Sequence, residues 1–171
     1  MMLYASHRMR FDALPFSPQL IQARWELGKL PSEEMPRVAQ DALEHGYDGA
    51  NTRRIAGLID PDQFDLQPLM RGFLEELGLA TKPTREEAAF ALARFVAQAI
   101  LERKVGAYEG ARFIWLDIVI EMWPNQPSAF DSFVGDASEY EDCVFYSQNP
   151  EEVRRKIEKD IIEAARELVS S

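Results

Sequence analysis

Phe113-Ile114-Trp115-Leu116-Asp117-Ile118-Val119-Ile120-Glu121-Met122-Trp123 is mostly β-branched and aromatic, and by composition alone it would suit a buried strand. Spacing points the other way. Its two polar residues, Asp117 and Glu121, are four apart and so share one helix face. In a strand of period two the same face would mix them with Phe113, Trp115 and Val119. The pattern predicts a helix from about Glu109 to Met122, stopped by Pro124.

The neighbouring stretches read the same way. Upstream, Thr84-Arg85-Glu86-Glu87 is a capping box. After it, Glu87, Arg94, Gln98 and Glu102 form one narrow polar stripe, and Ala88, Leu92, Phe95, Val96, Ala99, Ile100 and Leu101 fill most of the rest. That is a central helix running to about Lys104. Downstream, Pro127 and Ser128 open a helix towards Asp142, interrupted in pattern by Gly135. Asn149-Pro150-Glu151-Glu152 then starts a last one, with an N-cap, a proline at N1 and acids suited to the dipole. Its packing stripe is Val153, Ile157, Ile161, Ala164, Ala165 and Leu168.

In the first half, Ser17-Pro18 starts a helix that should stop near Gly28. A second opens around Ser32 or Pro36 and ends at His45-Gly46, and a short one runs from about Thr52 to Leu58. After the breaker Asp60-Pro61-Asp62 another covers about Leu66 to Leu77, with Pro68 in its first turn. Residues 1–15 suit a short strand or an extended N-terminal arm. The sum is an all-α chain, a single domain over residues 1–171 with seven or eight short-connected helices and no βαβ alternation. Leu43-Glu44-His45-Gly46, Leu74-Glu75-Glu76-Leu77-Gly78 and Leu101 to Gly106 share one style of helix ending, which would suit stacked helical hairpins, although no fixed period is sustained.

Composition limits the chemistry. The 171 residues are 46% hydrophobic, enough for a core and against disorder. Cys143 is the only cysteine and His7 and His45 the only histidines, which excludes an internal disulfide, a multi-cysteine zinc site and a three-histidine metal centre. No glycine-rich phosphate loop is present. Met1 to Phe11 carries Arg8 and Arg10 without an apolar stretch of signal-peptide length, and nowhere do eighteen apolar residues run together. The expectation is a cytoplasmic protein that does not enter a membrane.

The net charge of -10 is unevenly placed. From Phe113 to Val153 there is no Lys or Arg, while Asp117, Glu121, Asp131, Asp136, Glu139, Glu141, Asp142, Glu151 and Glu152 supply nine negative charges. The remainder has 20 acids against 19 bases. The same segment holds Phe113, Trp115, Trp123, Phe130, Phe133, Tyr140, Phe145 and Tyr146. Phosphates would be repelled there, so nucleic acid is not an expected partner. A basic protein surface would be attracted.

Other constellations have bland readings beside their chemical ones. Asp117 and Glu121 could hold a magnesium-like cation if Asp131, Asp136, Glu139 or Asp142 joined them; otherwise they are the solvated stripe of their helix. Cys143 with His45 or His7 could be a nucleophile and base, but its apolar and acidic neighbours suit a core cysteine better. His45 suits a helix C-terminus. Arg53 and Arg54, following Asn51 and Thr52, could mark an anion site or pair with Asp48 or Asp60.

Trp25-Glu26-Leu27-Gly28-Lys29-Leu30, with Ala42-Leu43-Glu44-His45-Gly46-Tyr47-Asp48 and Arg54-Ile55-Ala56-Gly57-Leu58, resembles a pattern of uncharacterised bacterial helical proteins. The resemblance covers the first third of the chain and implies a bacterial, mostly helical character, with no activity, cofactor or site residue attached.

The function expected from these readings is a non-enzymatic protein-interaction module of the acidic inhibitor or immunity type. It needs no cofactor and meets a basic partner through Asp131, Phe133, Asp136, Glu139 and Tyr140. The alternatives are a carboxylate-only metal-dependent hydrolase using Asp117 and Glu121, and a homo-oligomeric scaffold that buries its aromatic surplus between copies.

Overall fold

The computed structural model describes Met9 and residues 11–171, and among these it holds helices and their connections but no strand. The fold is all-α. The chain divides into two compact units, Pro15–Leu92 and Met1–Leu14 with Ala93–Ser171.

In Pro15–Leu92 the order is α1 (Pro18–Glu26), a 3-10 turn (Ser32–Glu34), α2 (Met35–Glu44), α3 (Ala50–Ala56), α4 (Gln63–Glu76) and the first half of α5 (Arg85–Leu101). Ser17 caps α1 by accepting from the Leu20 amide, with Pro18 at N1. The expected capping box of α5 is formed: the Glu87 amide donates to Thr84 Oγ1 at 3.2 Å and the Thr84 amide to Glu87 Oε2 at 2.7 Å. α4 begins earlier than its apolar pattern suggests. Asp62, expected to be part of a breaker, is an N-cap that forms a second capping box with Asp65. Pro68 therefore lies inside α4 rather than in its first turn, and the carbonyl it leaves unbonded, that of Phe64, lies at the exposed start of the helix. The core of this unit contains Met35, Ala39, Ala42, Ile55, Leu66 and Phe73. Arg24 is also buried, its charge met by Glu34 at 2.7 Å and its Nε by the Lys29 carbonyl at 3.2 Å.

The recurring helix endings have one cause. α1, α2 and α4 each close with Gly28, Gly46 or Gly78 at positive φ, and in each the two amides after the C-cap return to the last turn, as Lys29 does to Arg24 and Gly28 to Trp25. α5 closes with the same two bonds, Lys104 to Ala99 and Arg103 to Ile100, but there the left-handed position is Arg103, at φ 57°. The shared motif explains the likeness of those stretches without a repeated unit.

In the other unit, the second half of α5 is followed by α6 (Ala107–Phe113), a π-helical turn (Ile114–Val119), α7 (Ile120–Met122), a 3-10 turn (Ser128–Phe130), α8 (Asp131–Tyr146) and α9 (Pro150–Ser170). α6, the π turn and α7 are one continuous helical run ending at Trp123, which turns to ψ 138° before Pro124. The expected helix over this stretch is present, widened in the middle. α8 passes through Gly135 without a break and continues beyond Asp142 to Tyr146. It packs on α9, and Phe130, Phe133, Ala137 and Cys143 are buried with Ile157, Ile161, Ala165 and Leu168 of α9. Asn149 is the N-cap residue of α9, yet its side-chain amide nitrogen donates to Glu152 at 2.9 Å and the side chain caps no backbone amide. The strand-or-arm expectation falls mostly outside the described residues; Phe11–Ala13 is a single 3-10 turn, with the Phe11 ring edge-on to Phe113 at 5.4 Å.

Candidate functional site

α8 carries four of the five residues singled out for a partner on its surface or half-way into it, and the fifth inside. Asp131 and Glu139 are exposed, Asp136 and Tyr140 are half-buried, and Phe133 is wholly buried. Phe133 therefore anchors α8 to its own unit and is withdrawn from the candidate surface. At 3.6 residues per turn Asp131, Glu139, Asp142 and Tyr146 fall on one face, roughly opposite Phe133 and Ala137. Tyr146 donates its hydroxyl to the Glu139 carbonyl at 3.4 Å, which lays the ring back along that face.

The accessible aromatic residues of the segment are ones that sequence reasoning does not single out: Phe145 is 82% exposed, Trp123 71% and Tyr146 59%. A signal for two of them is present, because the spacing Phe130, Phe133, Ala137, Tyr140 continues to Cys143 and leaves Phe145 and Tyr146 off the buried face.

Tyr140 is occupied within the protein. Its ring stacks on Tyr108 with centroids 4.2 Å apart, lies under the Arg154 guanidinium at 5.0 Å, and its hydroxyl reaches Glu158 at 3.4 Å. Tyr108 donates to Glu141 at 2.7 Å, a carboxylate that Arg112 also holds at 3.0 Å; burial, with that carboxylate, pushes the Tyr108 hydroxyl up to about 12. Burial, then the charges of Asp160 and Glu139, raise the Asp136 carboxyl. The nine acids are thus unequal. Glu141 and Glu151 are bridged to Arg112 and Arg154, whereas the side chains of Asp131, Glu139 and Asp142 make no hydrogen bond or ion pair among the described residues.

The metal alternative finds no supporting cluster among the described residues. Asp117 lies within the π turn, half-buried, and Glu121 lies beyond it, exposed; the wider i to i+5 turn rotates the residues beyond it. No three His, Cys, Asp or Glu residues come together to hold an ion among the described residues.

Cys143 is a core cysteine whose thiol donates to the Tyr140 carbonyl at 3.3 Å. His45 caps the end of α2, donating from Nδ1 to the Asp41 carbonyl at 2.8 Å with its ring stacked on Phe16 at 4.3 Å. His7 lies outside the described residues. Arg53 grips Asp48 through two bonds of 2.5 and 2.6 Å.

Arg53 thus makes the ion pair with Asp48 that is the favoured reading of the sequence, and the donors at the start of α3 are taken by a carboxylate of the protein itself. Glu76, at the end of α4, accepts from the backbone and side chain of Asn51 at 2.9 and 2.8 Å and from those of Thr52 at 2.8 Å each. Burial works against that charge, but the four donors win and hold the carboxyl below its usual range. A Cβ at Gly49 would lie 2.1 Å from the Glu76 carboxyl carbon, and one at Gly72 2.3 Å from the Asn51 amide nitrogen. Both glycines are the condition for this approach.

No protein family, no curated protein and no solved structure matches the chain. Among the described residues no helix is long and apolar enough to cross a membrane.

Proposed function

We propose that the protein is a non-enzymatic interaction module that receives a basic protein partner on the outer face of α8, in the manner of an acidic inhibitor or immunity protein. The observation that carries this is the absence of any partner among the described residues for Asp131, Glu139 and Asp142 beside the exposed rings of Phe145 and Tyr146. Unpaired carboxylates steer a cationic surface and fix its register, and desolvated aromatics hold it. A net charge of -10 extends the attraction beyond contact. The setting of this reading is the cytoplasm.

The test is capture from the native host's lysate, followed by titration of the purified partner against wild type, the triple variant Asp131→Asn, Glu139→Gln, Asp142→Asn, and Phe145→Ala. The triple variant should lose at least roughly tenfold in affinity and flatten the salt dependence, and Phe145→Ala should lose affinity at every salt concentration. Unchanged affinity and salt slope in the triple variant would sink the proposal.

A further inference from the structure

Within Pro15–Leu92 there is a cleft of about 770 Å³ between α1, residues 28–32, α4 and residues 79–82, a volume typical of small-molecule sites. Its lining is mixed: Trp25, Met70, Leu74 and Leu79 supply the apolar part, and polar and charged side chains the rest. Two acceptors on α1, Gln22 and Glu26, also line it, and their i, i+4 spacing puts them on one helix face.

Both are placed as if for a donor-rich guest. Gln22 is 9% exposed; its Nε2 donates to the Thr81 carbonyl at 3.0 Å, and its Oε1 accepts from no described residue. The Glu26 side chain is only 14% exposed, and its one partner among the described residues is Lys82 Nζ at 3.2 Å, on a side chain 78% exposed. A carboxylate set that deep is costly without a cation. Lys82 is a weak holder, because fixing its long side chain costs rotamer entropy while the ammonium stays in water.

We propose that this cleft binds an organic cation with an apolar body, an alkyl- or arylalkylammonium. Its ammonium takes the place of Lys82 on Glu26 and donates a second bond to Gln22 Oε1, while the hydrocarbon covers Trp25, Met70 and Leu74. An ammonium has three donors, enough for both bonds, and no acceptor to waste. An anion would fit poorly: Arg71 on the rim is bridged to Glu75 at 3.0 Å, and releasing Lys82 would leave the anion facing Glu26. The net charge of the protein also concentrates cations around it. The site owes nothing to α8 and stands or falls apart from the function proposed above.

Calorimetric titration of the full chain with phenethylammonium, and with phenethyl alcohol and phenylacetate as neutral and anionic counterparts, tests it. The ammonium should bind with a Kd on the order of 1 mM or tighter, and the two counterparts at least roughly tenfold more weakly. Glu26→Gln should weaken the ammonium by roughly tenfold and leave the alcohol unchanged, whereas Lys82→Ala, which frees Glu26, should tighten the ammonium about threefold. General damage to the fold cannot produce those opposite signs. The proposal is overturned if wild type binds no ammonium at about 10 mM, if the alcohol binds equally well, or if Lys82→Ala fails to tighten binding.

Discussion

Glu76 and the acids of α8 are the same chemical group put to opposite uses. Glu76 is surrounded by four donors from Asn51 and Thr52 at the start of α3, so its charge belongs to the folding of Pro15–Leu92. Asp131, Glu139 and Asp142 have no donor among the described residues, so their charge is left for whatever approaches from solvent. An excess of acid in a sequence counts charges without saying which are available. Availability is decided by partners 24 and 25 residues away, as with Thr52 and Asn51 for Glu76.

The same contrast applies to the aromatics of α8, and there substitution should tell most. Phe133→Ala should destabilise the protein by about 3–5 kcal/mol, the usual range for emptying a buried phenylalanine site. Phe145→Ala, which removes a ring standing mostly in solvent, should change stability by no more than about 0.5 kcal/mol. Denaturant titration of the two variants side by side checks this, and equal losses would erase the distinction between inner and outer face.

Next in size is Glu76→Ala, expected to cost about 2 kcal/mol because it strips the orphan amides of α3 of a charged acceptor. Its pH dependence has a definite sign. A carboxyl held low in the folded state contributes fully above its unfolded pKa of about 4.3, and that contribution fades as pH falls through the folded value. Asp136 has the reverse sign. Its carboxyl is raised by burial and by Asp160 and Glu139, so ionisation costs stability at neutral pH and the penalty disappears as pH falls through its folded value and on to the unfolded one. Asp136→Asn should therefore raise the Tm at neutral pH, with a gain that vanishes in acid, while the loss caused by Glu76→Ala shrinks in acid. Melting curves across that range separate the two.

A finer distinction concerns helix ends. Gly28, Gly46 and Gly78 occupy the left-handed closing position without strain, and Arg103 occupies it with a side chain. Arg103→Gly should stabilise by about 1 kcal/mol, the relief of the left-handed backbone less the added freedom of glycine in the unfolded chain. A variant no more stable than wild type in chemical denaturation would show that the Arg103 side chain makes up for its backbone.

The helices were legible wherever their signals were local. Ser17-Pro18, Thr84 with Glu87 and Gly78 each fix an end through neighbours within a few residues. Asp62 is ambiguous because an aspartate beside Pro61 suits a turn and an N-cap equally. The π turn at Ile114–Val119 leaves no mark in the residue pattern, since an apolar run tolerates the widened register wherever packing favours it. At the candidate surface the acids of α8 could be named, and the spacing from Phe130 to Cys143 already separates the face of Phe133 from that of Phe145; which of those acids keep their charge free depends on partners from other helices. The four-donor site of Glu76 joins residues from two helices, and only the fold brings them together.

The buried thiol of Cys143 gives this protein a built-in clock. It is the only cysteine, it is enclosed in the unit that α8 and α9 share, and a thiol reagent can reach it only when that packing opens. The rate of its modification under native conditions is therefore a direct measure of how often α8 loosens, read from the wild-type chain with no label added.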